Sequence, residues 1–219
     1  MAHAHQLSER IWDPIVRITH WVVALAILLN GLIDDGGSVL HIWIGYIALA
    51  MLVLRLLWGF VGPAEARFAS FLPSASGARA HASDLAAGRV RHYRSHNPLG
   101  SLMVYALWSV LALVIVTGII MAGPPPLSAP PAGAAAQLQT LASPAIGAVD
   151  DDGDEDGTAQ GDDREKKESL VTDIHEIAAN LILVLAALHI GGVAVESYLS
   201  HTNLARQMVT GRRAVRDDG

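Results

Sequence analysis

Four histidines, His20, His41, His175 and His189, fall inside long apolar stretches of a 219-residue chain. An imidazole in hydrocarbon needs a partner, because an unsatisfied polar group is costly there. That partner can be a hydrogen bond, a proton path or a metal, and the spacing points to the metal. His175 and His189 are fourteen residues apart. On an α-helix this separation brings them to within roughly 40° of one direction while advancing about 21 Å. Two rings then share one helix face at two depths. An imidazole pair on facing helices supplies both axial ligands of a haem iron, with nothing else needed to hold the metal. Mononuclear zinc is the rival for either pair, but it wants three or four ligands converging on one point. Two pairs separated by about 20 Å along the helix axis do not offer that.

The elements that must hold these rings are visible in how the apolar residues are distributed. The chain is 52% hydrophobic with a mean hydropathy of +0.37, and its apolar residues come in blocks rather than periodic stripes, the pattern of bilayer-spanning segments. Cysteine is absent, which excludes disulfides, zinc–thiolate sites, iron–sulfur clusters and thioether-attached haem. Residues 1–14 are polar and no small-residue cleavage site follows the first apolar run, so no signal peptide is expected. The four blocks cover about 15–33, 40–61, 99–122 and 170–198. Each is long enough, at about 1.5 Å per residue, to cross a hydrocarbon core of about 30 Å. The predicted fold is an all-α integral membrane protein, a four-transmembrane-helix bundle binding two b haems. Residues 1–122 form the N-terminal tail and the first three helices, 123–169 a flexible acidic periplasmic loop, and 170–219 the fourth helix with a basic tail.

The connections differ in character. Residues 34–39 make a tight loop. Residues 62–98 make a longer one, in which Ser83 to Gly88 reads as a short surface helix ending at glycine, and Pro98 reads as a helix start. Residues 123–169 open with Gly-Pro-Pro-Pro and close on the acidic run Asp150 to Asp156. That run lacks the ligand alternation and twelfth-position glutamate of a calcium loop. It reads as solvated acid, with an electrostatic dock for a basic periplasmic partner as the alternative.

The net charge of −6 hides an asymmetry. Arg10 and Arg17 precede or open the first span; Arg67, Arg79, Arg89, Arg91 and Arg94 lie in the 62–98 loop; Arg206, Arg212, Arg213 and Arg216 lie in the tail. Arg164, Lys166 and Lys167 sit among acidic residues. The positive-inside rule then puts both termini and the 62–98 loop in the cytoplasm, with 34–39 and 123–169 in the periplasm. Trp12, Trp21, Trp43 and Trp58 fall near span ends, as an aromatic belt does. In this orientation His20 comes level with His189 near the cytoplasmic side, and His41 level with His175 near the periplasmic side. Arg10, Arg17 and Arg55 are candidates to pair haem propionates. For Arg55, inside a span, snorkelling to the headgroups is an equal reading. Gly31, Gly45, Gly118, Gly191 and Gly192 either let a porphyrin lie close to the backbone or serve close helix packing. His3 and His5 read as tail, and His81 and His201 as interfacial or surface residues. His92 and His96 read as surface too, with quinone or proton chemistry as the alternative for His96. Glu176 is either a quinol proton acceptor or an exposed helix-end carboxylate. No residue reads as a catalytic acid or base.

Taken together, Arg17-Ile-Thr-His20-Trp21, His96-Asn-Pro-Leu-Gly100, His175-Glu176 with His189, and the tail from Asn203 to Arg212 resemble the bacterial cytochrome b561 family. That family includes the b-type cytochrome subunit of membrane-bound nickel–iron hydrogenases. The resemblance covers nearly the whole chain except 123–169. It implies a four-helix bundle with two haem b groups, one held by His20 and His189, the other by His41 and His175. It also implies electron transfer between the quinone pool and a redox partner, such as a periplasmic cytochrome c or a hydrogenase-like subunit. The acidic insertion departs from the family pattern and leaves the partner open, as is homodimer formation; nothing points to nucleic acid. Two other functions compete. One is a stand-alone quinone reductase such as a superoxide:quinone oxidoreductase. The other is a haem-free metal transporter, which should carry acids inside its spans, where little beyond Arg55, Asn180 and Glu196 is polar.

Overall fold

The computed structural model describes residues 8–10, 12–34, 36–89, 97–124 and 158–214. Its elements begin where the sequence offers a cap. Helix α1 (Pro14–Leu32) starts at Asp13, whose carboxylate accepts from the Ile15 and Val16 N–H groups, with proline in the first turn. Helix α2 (Val39–Val61) starts at Ser38, which accepts from the His41 N–H. Helix α3 (Ala75–Ala86) is capped by Ser74. Helix α4 (Pro98–Ala122) is capped by Asn97, with the Gly100 N–H 2.6 Å from its Oδ1. Helix α5 runs Thr158–Leu199 and α6 Leu204–Thr210, the latter closed by Gly211 in the left-handed region at φ 75°. Two 3₁₀ turns, Ala64–Ala66 and Phe68–Ser70, link α2 to α3.

Among the described residues four helices are long and apolar enough to cross a membrane: α1, α2, α4 and the part of α5 from Lys166 to Leu199. α1 packs on α2 and α5, and α4 packs on the same two, so the spans form a ring in which α2 and α5 stand diagonally. The centre is filled by Ala26, Ile44, Leu52, Leu111, Ile115 and Ile182. Large apolar side chains such as Ile18, Leu32, Phe60, Ile177 and Leu188 point outward. In water such faces would drive association; around a bundle whose backbone is satisfied internally they meet acyl chains. Where helices cross closely, small residues stand. A Cβ on Gly31 would lie 2.8 Å from Leu183 Cδ2, which assigns this glycine to α1–α5 packing.

A two-stranded antiparallel ribbon, β1 (Ser8–Arg10) and β2 (Arg212–Ala214), joins the two ends of the described chain. Both therefore lie at one face, as an even number of spans requires. We call this the termini face and the opposite one the far face.

Two connections differ from the sequence expectation. α5 begins at Thr158, twelve residues ahead of position 170, so the last part of the segment read as a flexible loop is helical. Lys166, Lys167 and Glu168 are good helix formers, and a helix already nucleated by an apolar span extends through them at little cost. The surface helix of the second loop is longer than Ser83 to Gly88: α3 starts at Ala75, and Gly88 at φ 69° follows its end. The acidic run 150–156, His3, His5, His92 and His96 lie outside the described residues.

Candidate functional site

The bundle brings the four span histidines together in two pairs. The His20 and His189 rings lie 6.2 Å apart between centroids with their planes at 59°. The His41 and His175 rings lie 6.3 Å apart with their planes at 61°. The first pair joins neighbours α1 and α5 towards the termini face; the second spans the diagonal from α2 to α5 towards the far face. Between them α5 advances fourteen residues, about 21 Å. Direct N–H···N bonding, at about 3 Å between nitrogens, would set ring centres about 5 Å apart. Two metal–imidazole bonds of about 2 Å on opposite sides of one ion set them about 6 Å apart. Both pairs match the second geometry.

Open space flanks some of these rings. A Cβ on Gly45, one turn beyond His41, would meet nothing within 4 Å, and the same holds for Gly191 and Gly192, just beyond His189. His20 Nδ1 is buried with no hydrogen-bond partner among the described residues. Paired imidazoles at metal-spanning distance, with open glycine flanks, fit a haem clasped from both sides. Among the described residues no cluster of three or more His, Asp or Glu side chains could hold a bare metal ion.

The surroundings of the far pair are more fully built. His175 Nδ1 lies 2.9 Å from Thr117 Oγ1. Thr117 also donates to the Leu113 carbonyl at 2.8 Å. On the next residue, a Cβ at Gly118 would stand 3.2 Å from His175 Cε1, so this glycine makes room for the ring. His41 Nδ1 faces the Asp34 carboxylate at 3.7 Å, too far for a direct hydrogen bond. Asn30 donates to the His41 carbonyl at 3.0 Å and so ties α1 to the start of α2. Sequence reasoning passed over Thr117, Asn30 and Asp34. For Thr117 and Asn30 the available signal was a hydroxyl or amide inside an apolar block, which must find a partner within the bundle.

The arginines engage backbone. Arg17 Nε donates to the Met208 carbonyl at 3.1 Å, and its Nη2 donates to the Val209 carbonyl; both accept near the negative end of α6. Arg55 does not snorkel. It is 6% exposed, its Nη2 donates to the Ala66 carbonyl at 3.2 Å, and its guanidinium lies 5.1 Å from the Trp108 ring centre. Arg55 Nη1 is buried without a hydrogen-bond partner. Of Arg10 the structure describes the backbone, in β1. Trp58 donates to Asp13 at 3.1 Å, linking α2 to the cap of α1.

His81 is not a surface residue: it is 2% exposed, with Nε2 3.4 Å from Glu196 Oε2. The same Glu196 oxygen accepts from Asn97 Nδ2 at 2.7 Å, so α3, α4 and α5 are tied together at the termini face. His201 is exposed with φ 50°, and Glu176 is exposed on α5.

Comparison with known proteins gives one positive finding. The family profile described as prokaryotic cytochrome b561 matches residues 11–211, which includes all four rings. No curated protein and no solved structure matches the chain.

Proposed function

We propose that this chain, which belongs to the prokaryotic cytochrome b561 family, is a di-haem b-type cytochrome that moves electrons across the bacterial inner membrane between the quinone pool and a redox partner. The observation that carries the proposal is the pair of near-identical ring couples, 6.2 and 6.3 Å between centroids, one towards each face. His20 and His189 would hold one haem b and His41 and His175 the other. Each bound haem supplies a one-electron couple. Two imidazoles per site leave no open position, which favours electron transfer over oxygen binding. α5 contributes one ligand to each site and sets their separation at about 21 Å along its axis. The apolar spans keep water away and fix the dielectric, which is the protein's part in cofactor chemistry. Arg17 and Arg55, towards the same face as His20, are candidate cations for propionates there; Arg55 Nη1 is a buried donor without a hydrogen-bond partner among the described residues.

The orientation places both termini, α3 and the basic loop in the cytoplasm, and the start of α5 in the periplasm. A periplasmic redox protein would then meet the far pair, and the acidic run 150–156 supplies negative charge to receive a basic one.

The test is a reduced-minus-oxidised absorption spectrum of the purified protein and four variants. His20→Ala and His189→Ala should each remove one and the same b-type component. His41→Ala and His175→Ala should each remove the other. A folded but colourless wild type overturns the proposal. So does a result in which His20→Ala and His41→Ala delete the same component.

A further inference from the structure

We infer that Thr117 is a positioning residue that fixes the tautomer of His175 and thereby lowers the reduction potential of the haem held on the far face. The inference rests on the haem reading above and extends it to a residue that does not touch the metal. A threonine hydroxyl has one proton and two lone pairs. The Leu113 carbonyl, 2.8 Å away, can only accept. The Val114 carbonyl, 3.1 Å away, is a second backbone acceptor, so the Thr117 proton has two places on α4's own backbone, a usual arrangement for a helical threonine. The oxygen is left as an acceptor 2.9 Å from His175 Nδ1. With Nε2 turned to the metal, as the haem reading requires, Nδ1 carries the imidazole proton and donates it to that oxygen. The ring's placement agrees: its Cε1 and Nδ1 atoms lie 3.2 and 3.7 Å from where a Gly118 Cβ would stand. That edge of the ring rests on α4, and Nε2 is the nitrogen left for a metal.

Such a hydrogen bond has an electronic consequence. A ligand imidazole whose second nitrogen donates a hydrogen bond is a more basic ligand, which stabilises the oxidised metal. The other site differs, since His20 Nδ1 is buried and meets no acceptor among the described residues. The two sites share ring geometry but not their outer partners, and Thr117 is one source of the difference.

The experiment is a redox titration of both haems in the purified full-length protein, wild type against Thr117→Val, Thr117→Ala and Thr117→Ser. Valine keeps the shape and removes the hydroxyl acceptor, leaving the Val114 carbonyl as the backbone partner of the ring; alanine is a second hydroxyl-free variant if valine does not fold. In either, the midpoint of the component that His175→Ala abolishes should rise. A tenfold shift in its one-electron equilibrium corresponds to about 59 mV. The other component should stay in place, and Thr117→Ser should return towards wild type. A purely structural role would leave the midpoint unmoved while lowering haem retention. Unchanged midpoints in Thr117→Val and Thr117→Ala, an equal shift of both components, or failure of serine to restore the value overturns the inference and leaves the haem reading standing. Absence of haem from the wild type overturns the haem reading instead.

Discussion

His175 stands between two neighbours on α4 that act on it in different ways, Thr117 through a hydrogen bond and Gly118 through space. The spatial constraint can be tested separately. A methyl group at position 118 would sit 3.2 Å from His175 Cε1, so the ring must give by a few tenths of an ångström. Ligand rings tolerate little misplacement when their orientation is set by packing and outer hydrogen bonds. Gly118→Ala should therefore lower haem occupancy of the far site and leave the His20–His189 site filled, read as the haem-to-protein ratio of each spectral component. Full occupancy of both would mean that the ring has more freedom than its contacts imply. Arg55 makes a related point about charge. A guanidinium inside a span is held by one carbonyl and the faces of Trp108 and Phe71, at 5.1 and 5.8 Å from the ring centres. Aromatic faces and backbone dipoles take the place of headgroups.

The second loop is held onto the bundle by aromatic packing. Phe68, in the second 3₁₀ turn, lies with Tyr105 and Trp108 of α4 at 6.4 and 5.8 Å between ring centres. Its ring presses on Gly59 of α2, where a Cβ would come within 2.3 Å of Phe68 Cζ. Glycine is needed at this crossing for close approach. Gly59→Ala forces the ring away and should destabilise the fold by about 1–3 kcal/mol, as overpacking of a filled site does. A lowered thermal midpoint in detergent with the haem spectrum retained is the expected result; an unchanged midpoint would show the loop to be readily displaced. At the same face Glu196 takes hydrogen-bond distances of 3.4 Å from His81 and 2.7 Å from Asn97. The basic loop is thus tied to α5, the helix that carries one ring of each histidine pair.

For the whole molecule, β1–β2 pairing and the even number of spans put both ends at one face, while the arginine distribution selects which compartment that is. A fluorescent protein fused after Gly219 should fold and emit in the cytoplasm. Alkaline phosphatase fused after Gly123 should be active, because the proposed orientation puts that end of α4 in the periplasm. The reverse pattern would turn the bundle over and bring the His20–His189 pair towards the periplasm without disturbing the ring pairs.

Much of this architecture is written in local, one-dimensional features. Hydropathy blocks locate the four spans to within a residue or two at most ends, since crossing hydrocarbon imposes a length and a composition whatever the neighbours do. The fourteen-residue spacing of His175 and His189 places two rings on one face of α5 at two depths, because helical phase is a property of the backbone. Matching each to a partner at the same depth then needed only the direction of each span. Folding decided what depends on contacts between distant segments. His81 looked like a loop histidine because its partner Glu196 is 115 positions away. Arg55 could go outward or inward until the loop carrying Ala66 folded over it. Thr117 had no visible task until α4 and α5 set its hydroxyl beside an imidazole 58 positions along the chain. Hydropathy and period record which solvent a residue meets; which atom it meets is set by loop closure and packing, and these couple the whole chain.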